Sequence, residues 1–403
     1  MHIGLAVFGT WGDVEPFVVL ARALSARGHR VTWFIESSMG ARVSGDSVIE
    51  VGEALELSRL LEDPRAMDPR FVWREVYAPR ISCFHDAVVR RHGEDPLDVV
   101  IAHSWTLGAQ LGALVSGISF VTAALQPMIW MSREEPPRLD ALELPPWLYR
   151  QLFKVAEPMI MKGMLGRSLR REARSLGVKI AGLGIRNLWA EASCNLGLWD
   201  PLFRAPRRDD PPRARVTGFL EAREFGAALD PALEAFCVSE RPWIVALGSS
   251  LPRAYQRLYE LARDATGEPL VFVGGGAELA TRHDVRVVPR APYNLLFPHA
   301  RGVIHHGGVG TTAHTLRAGV PQVVLAVGND MFDNGDRVEH VGVGRAFVAR
   351  HVTPAELAGA LDWMRREDVR RRAAQVASAL TPADVALAQA VDAIERSFTL
   401  THR

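Results

Sequence analysis

Cysteine is scarce in this chain. Cys83, Cys194 and Cys237 are the only three in 403 residues, far apart and without a CxxC pair. That excludes a disulfide scaffold and points to a reducing compartment. Lysine is equally rare: Lys154, Lys162 and Lys179 are the only lysines among 47 basic residues, the rest being arginine. A GC-rich bacterial genome is the simple reading of that bias. Charge of one sign is also missing, because 46 acidic residues leave a formal net charge of only +1. A nucleic-acid binder that works by bulk electrostatics is more basic, so no nucleic-acid partner is expected. No uninterrupted hydrophobic run is long enough to span a bilayer. The longest apolar stretch, 99–131, carries His103, Ser104, Gln110 and Gln126 and is broken by Gly108, Gly112 and Gly117. It reads as strand, helix and strand. The N-terminus has no basic segment ahead of its apolar run, so a cytoplasmic protein is expected, with membrane association absent or peripheral. No solenoid repeat or low-complexity tract is present.

What remains is ordinary globular material, 48% hydrophobic and 23% charged, enough for two domains of roughly 200 residues each. His2 to Phe8 reads as a buried strand, followed by the turn Gly9-Thr10-Trp11-Gly12-Asp13. Phe17, Leu20, Ala21 and Leu24 then lie on one helical face, Gly28 stops the helix, and Arg30 to Ile35 is a second strand. This βαβ opening predicts an α/β fold with a parallel sheet. Leu97 to Ala102 and Ile118 to Ala123 continue it. The stretch from Pro136 to Trp199 resists assignment. Near Met159 to Leu176 it turns Met- and Arg-rich, a segment suited to an apolar acceptor, a membrane surface or an ordinary amphipathic helix. The polar run from Arg204 to Arg215, with Pro206, Pro211 and Pro212, reads as a linker. After it, strands are expected at Trp243 to Leu247, Pro269 to Val273, Gly302 to His305 and Gln322 to Val327. Thr353-Pro354-Ala355-Glu356 is a capping box and Thr381-Pro382-Ala383-Asp384 a looser one. The expected domains are 1–205 and 216–403, with the last helix a candidate to pack back on the first domain.

The most specific motif is Gly302-Val303-Ile304-His305-His306-Gly307-Gly308-Val309-Gly310-Thr311-Thr312. An apolar strand runs through two histidines and a glycine turn into a helix that Gly319-Val320-Pro321 ends. Glycines admit a ligand close to the backbone, and the free N–H groups of a helix start attract an anion. A phosphate or diphosphate is the predicted ligand, with His306 adding a side-chain donor. The spacing is neither GxxxxGK[ST] nor GxGxxG. The alternative reading of His306 is a core histidine at a strand end.

His306 to Thr312, followed by Arg317-Ala318-Gly319-Val320-Pro321-Gln322, resembles the donor-binding signature of the family 1 nucleotide-sugar glycosyltransferases. Bacterial antibiotic and sterol glycosyltransferases are the nearest type. Ala291 to Pro298, the loop Gly9 to Phe17 and the strand Trp243 to Ser250 extend the likeness to both halves, whereas 40–95 and 130–215 show little of it. The resemblance implies a GT-B fold, two Rossmann-like doubly wound domains facing a cleft. It implies metal-independent, inverting transfer of a hexose from a TDP- or UDP-sugar to a small-molecule hydroxyl, with no cofactor beyond the nucleotide sugar. The expected acceptor is a bulky, largely apolar natural product: a polyketide, a macrolide-like or aromatic compound, or a sterol.

Residue roles follow from the same resemblance. Asp13 is the candidate base, with an N-cap as its structural alternative. His103 is its assistant or the base itself, against a buried satisfied histidine. His306, Gly308, Gly310, Thr311 and Ser249 are candidates for the diphosphate. Arg290, Ala291 and His314 are candidates for the nucleoside, and Asn329 and Asp330 for the sugar. Trp11 and Trp130 are candidates for the acceptor. The pair Asn329-Asp330 departs from the Asp-Gln of many relatives and suggests a deoxysugar or amino sugar in place of glucose. Three other functions stay open: a nucleotide-sugar epimerase or hydrolase on the same fold, a non-catalytic nucleotide-sugar-binding helper, and a Rossmann-type oxidoreductase using Gly9 to Gly12.

Overall fold

The computed structural model describes residues 1–54, 63, 65, 68–139, 144–182, 184–221, 228–248, 256–280 and 282–401. The chain divides into two compact units. The first comprises Met1–Pro137, Glu143–Ala222 and Thr381–Arg403. The second comprises Arg138–Leu142 and Arg223–Leu380.

In the first unit the opening residues form β1 (His2–Val7), α1 (Trp11–Ala26) and β2 (Arg30–Ile35), then β3 (Ser47–Glu50). All of β1 and nearly all of β2 is buried, the pattern of parallel strands covered on both faces. Next come α2 (Ala78–Glu94), β4 (Val99–His103), α3 (Leu107–Val115) and β5 (Ser119–Ala124). Helices α2 and α3 touch through glycine: a Cβ on Gly108 would lie 2.1 Å from the Ile81 carbonyl oxygen. Then follow α4 (Pro146–Pro158), a wider turn of helix over Met159–Met164, and α5 (Leu165–Ser175). Strands β6 (Cys194–Gly197) and β7 (Ala214–Val216) complete a parallel sheet of order β3-β2-β1-β4-β5-β6-β7.

The run 204–215 is not a linker. Arg204 is buried, ion-paired with Asp210 and stacked near the Trp130 and Trp199 rings, and β7 pairs with β6. The prolines mark turns within the unit, and the division of the chain falls later.

The second unit holds α6 (Pro231–Glu240), β8 (Trp243–Ala246), α7 (Gln256–Thr266), β9 (Leu270–Val273) and β10 (Val285–Val288). It continues with β11 (Gly302–His305), α8 (Val309–Ala318), β12 (Gln322–Ala326), α9 (Asp330–Val341), β13 (Gly344–Val348), α10 (Pro354–Arg365) and α11 (Glu367–Ala379). Its parallel sheet has the order β10-β9-β8-β11-β12-β13. Alternate residues of β8 serve opposite cores. Trp243 and Val245 join one cluster with Leu258, Phe272 and Leu361, while Ile244 and Ala246 join another with Leu233, Phe297 and Val303. A sheet buried on both faces leaves its strand ends as the place for polar chemistry.

The last helix, α12 (Ala383–Thr401), belongs to the first unit and packs against α1. Among the described residues no helix is long and apolar enough to cross a membrane.

Candidate functional site

Polar groups gather at the carboxyl ends of the strands in each unit. In the first unit, β1 runs into Phe8 and Gly9. Gly9 has φ +127°, and a Cβ there would lie 2.5 Å from Asp13 Oδ2, so only glycine lets the chain fold over this carboxylate. Thr10 is the N-cap of α1. Its N–H and its Oγ1 both donate to Asp13 Oδ2, each at 2.8 Å. Asp13 is therefore the fourth residue of a capping box rather than the cap itself. One of its oxygens is held and the other is not part of the box. The helix dipole also favours a carboxylate in this first turn.

His103 ends β4, the strand beside β1. It is buried, edge-on to Phe17 at 6.4 Å. Gln110 Nε2 donates to the His103 and Ser104 carbonyls at 3.2 and 3.0 Å, fixing the strand end. The Trp105 N–H donates weakly to His103 Nδ1 at 3.4 Å. A neutral ring that accepts at Nδ1 carries its proton on Nε2. That Nε2 is buried and has no hydrogen-bond partner among the described residues. Burial pushes the His103 pKa below its ordinary value, and the Asp13 charge opposes that shift. The two residues therefore sense each other electrostatically.

Aromatic rings of the segments that follow β1 and β4 cluster with one another and with Tyr77. Trp105 lies 5.1 Å from Tyr77, and Tyr77 lies 5.9 Å from Phe8, ring centre to ring centre. Trp105 is also edge-on to Trp189 at 6.3 Å. Trp11 is partly exposed, with the Arg42 guanidinium 3.8 Å above its ring. Trp130 is core instead of pocket wall: it is fully buried, 4.6 Å from Trp199. Tyr77 and Trp105 lie outside the motifs named in the sequence. For Trp105 a signal existed, since it follows the polar strand end His103 by two residues. For Tyr77 there was none, because its neighbourhood carries no motif.

In the second unit, β11 delivers His305 and His306 to the glycine turn. His305 is fully buried; its Nε2 donates to Gln322 Oε1 at 2.8 Å and its Nδ1 accepts from the Gly307 N–H at 3.1 Å. Burial and the neighbouring His306 push its pKa down to about 3. It is the structural histidine of the pair. His306 is wedged between two glycines. A Cβ on Gly248 would meet its ring carbon Cε1 at 3.0 Å, and a Cβ on Gly308 would meet its Nε2 at 2.5 Å. Burial pushes its pKa down to about 4, against a pull upward from the Ala246 carbonyl, so it is neutral near pH 7.

Gly308 is the N-cap of α8, and the first N–H bonded back to it is that of Thr312, at 3.0 Å. The N–H groups of Val309, Gly310 and Thr311 thus precede the helical ladder, as at any helix start. The Thr312 and Thr315 hydroxyls bond within the helix, to the Gly308 and Thr311 carbonyls. The turn is locked to the start of α9. Asn334 Nδ2 donates to the Gly307 carbonyl at 2.9 Å and to Asp330 Oδ2 at 3.0 Å. Gly307 has φ +94°, and a Cβ there would lie 2.7 Å from Val324 Cγ1 and 3.1 Å from the Met331 carbonyl. Asn329, the exposed N-cap of α9, has φ +51° and ψ −132°, a conformation costly for a residue with a Cβ.

His314 and Ala291 are partly buried and Arg290 is exposed. His314 lies on α8, edge-on to Tyr293 at 5.9 Å, and Tyr293 stacks on Phe297 at 4.4 Å. Ser249 lies outside the described residues. No group of three His, Cys, Asp or Glu side chains suited to a metal occurs among the described residues.

Residues 277–392, which include the glycine turn, match the C-terminal domain of proteins like the erythromycin biosynthesis protein CIII. The chain is 28% identical over 359 residues to O-mycaminosyltylonolide 6-deoxyallosyltransferase of Streptomyces fradiae, covering 81% of each. It is 24% identical over 425 residues to a sterol 3-beta-glucosyltransferase of Arabidopsis thaliana, covering 98% of this chain and 68% of that protein. Among solved structures, the glycotransferase of kitacinnamycin superposes with a TM-score of 0.74 at 22% identity, covering 98% of this chain and 99% of that one. The two parallel sheets with their helices are the GT-B architecture.

Proposed function

We propose that this chain, a family 1 glycosyltransferase of the GT-B fold, moves a hexose from a TDP- or UDP-sugar to a hydroxyl of a bulky, largely apolar natural product, inverting the anomeric centre. The observation that carries the reading is the His306 ring, wedged between Gly248 and Gly308 at the start of α8. There the leading N–H groups of Val309, Gly310 and Thr311 face one anion, and the neutral imidazole adds its single N–H when that proton sits on the ring nitrogen turned away from the Ala246 carbonyl. In this reading the acceptor oxygen attacks C1 of the sugar as the bond from C1 to the diphosphate oxygen breaks. The nucleoside diphosphate leaves with the bonding pair. Preorganised donors meet that charge without the reorganisation that water needs. The acceptor proton passes to Asp13, and His103 assists through its electrostatic interaction with that carboxylate. Asn329 and Asp330 take the sugar hydroxyls, His314 and Ala291 flank the nucleoside, and the rings of Trp11, Tyr77 and Trp105 face the acceptor. We propose further that no metal takes part, so that turnover survives EDTA.

The deoxysugar preference rests on Asn329-Asp330 and is in keeping with the deoxyallosyl transfer in the Streptomyces fradiae relative's name. The test is turnover by the purified chain with TDP- and UDP-sugars and a panel of apolar acceptors. The expected product is a glycoside of inverted anomeric configuration, read by NMR coupling constants. In His306→Ala, kcat should fall by about 10²–10³, the range for one lost oxyanion donor. Nucleotide-sugar consumption without an acceptor would reassign the chain as a hydrolase or epimerase. Tight nucleotide binding with no turnover of any donor would make it a helper protein.

A further inference from the structure

The first unit carries an amphipathic surface that neither half-site uses. Leu148, Leu152 and Val155 on α4, and Met159 at the start of the wider turn after it, recur at i, i+4, i+7 and i+11. Their outer members do not pack: Val155 is 67% exposed and Met159 69%, with Leu152 half exposed. Trp147 opens the helix 68% exposed. The opposite side of α4 supplies the packing, through buried Phe153 and Glu157. Exposed apolar side chains of this size normally stand singly on a surface.

Exposed basic side chains share the solvent-facing side of this segment without lying in the apolar row itself. Arg150, Lys154, Lys162, Arg167 and Arg171 are all exposed. The only acid between 144 and 171 is Glu157, which is buried and consumed by Arg133 and Arg186. In a chain of net charge +1 this face is thus positive and apolar together. Lys154 and Lys162, two of the chain's only three lysines, lie within it.

We infer that α4 and the turn after it form a docking surface for an anionic lipid bilayer. The apolar row enters the acyl boundary, Trp147 sits at the headgroup level, and the long cationic side chains reach the lipid phosphates. Charge complementarity selects this occupant. A protein interface keeps charged residues out of its core, whereas here Lys154 and Lys162 are exposed on the same segment as Val155 and Met159. Binding is peripheral and reversible, because one short helix face adds little apolar area.

The test is co-sedimentation of the full chain with vesicles of phosphatidylglycerol and phosphatidylcholine (3:7), beside vesicles of pure phosphatidylcholine. Wild type should bind the anionic vesicles at least tenfold more strongly, and 0.5 M salt should release it. V155S/M159S and K154E/K162E should each bind at least tenfold more weakly while melting at the wild-type temperature. Equal binding to both vesicle types overturns the inference, as does undiminished binding by both variants. No vesicle binding, with self-association that V155S/M159S abolishes in sedimentation velocity, overturns it in favour of a second copy of the chain.

Discussion

Thr10 spends two donors on one oxygen of Asp13, so it sets the direction of the other. If Asp13 is the base, Thr10 positions it. Thr10→Val should lower kcat about tenfold, equivalent to about 1.4 kcal/mol of barrier, and cost about 1 kcal/mol of stability through the lost cap. Thr10→Ser should restore both. Asp13→Asn should lower kcat by about 10²–10⁴, and equal losses in T10V and D13N would remove the positioning role. A second residue-scale consequence concerns acid. His305 and His306 have folded pKa values of about 3 and 4, below the ordinary 6.5. The unfolded chain therefore binds more protons than the folded one between pH 6.5 and these values. Stability is complete above pH 6.5 and is lost as pH falls, by up to about 1.4 kcal/mol per pH unit for each ring. Protonation of His305 also removes the acceptor that holds the Gly307 N–H. Urea titrations at pH 7, 5.5 and 4.5 should show it, with a shallower fall in His306→Gln; parallel falls would place the protons elsewhere. At this scale the glycine motif was legible because its residues act through neighbours in sequence. Tyr77 was not, since long-range folding brings its ring to Phe8 and Trp105. Trp130 is core for a reason of the same kind: the fold brings Trp199 and Arg204 against its ring.

At the scale of elements, the turn between β11 and α8 separates two kinds of glycine. Gly308 has φ −59°, open to any residue, so its only constraint is the His306 ring 2.5 Å from an added Cβ. Gly310 has nothing within 4 Å of an added Cβ. Gly308→Ala should therefore displace the imidazole, and the affinity for TDP or UDP should fall at least tenfold by calorimetry with little change in melting temperature. Gly310→Ala should raise stability by up to about 1 kcal/mol, because alanine favours helix, and should cost less binding than G308A. Equal binding losses would mean that His306 does not hold the diphosphate. The same scale shows why the fold was readable. Strands buried on both faces are continuous apolar runs, and Arg30–Ile35 and Gly302–His305 coincide with their expected spans. Most other expected strands shifted by only one or two residues, because strand ends are set by pairing partners. The polar run 204–215 misled, since a buried Arg204–Asp210 pair looks in sequence like surface charge.

At the scale of the whole chain, residues 381–403 follow the second unit in sequence but belong to the first. Two kinds of contact hold them there. Asp200, buried, accepts from the Thr381 N–H at 2.7 Å and from the Leu202 N–H at 2.9 Å, and a Cβ on Gly218 would lie 2.6 Å from the Ala386 Cβ. On the surface, Arg27 pairs with Asp392 and Glu395, and His29 with Glu395. The surface contacts are the more numerous, yet the buried carboxylate should dominate. Exposed ion pairs trade water for a partner at little net gain, whereas a buried N–H left without its acceptor bears its full desolvation cost. Asp200→Ala should therefore destabilise the first unit by about 2–4 kcal/mol, two donors at the usual cost for each. It should also speed amide exchange along Ala383–Thr401. Asp200→Asn keeps an acceptor oxygen and should recover part of the loss. Arg27→Ala should leave the melting temperature and the exchange of α12 within experimental error. If R27A loosens the helix as much as D200A, the return of the chain is held by its surface charges, and high salt should then release it; if D200A alone loosens it, the anchor is the buried carboxylate at Asp200.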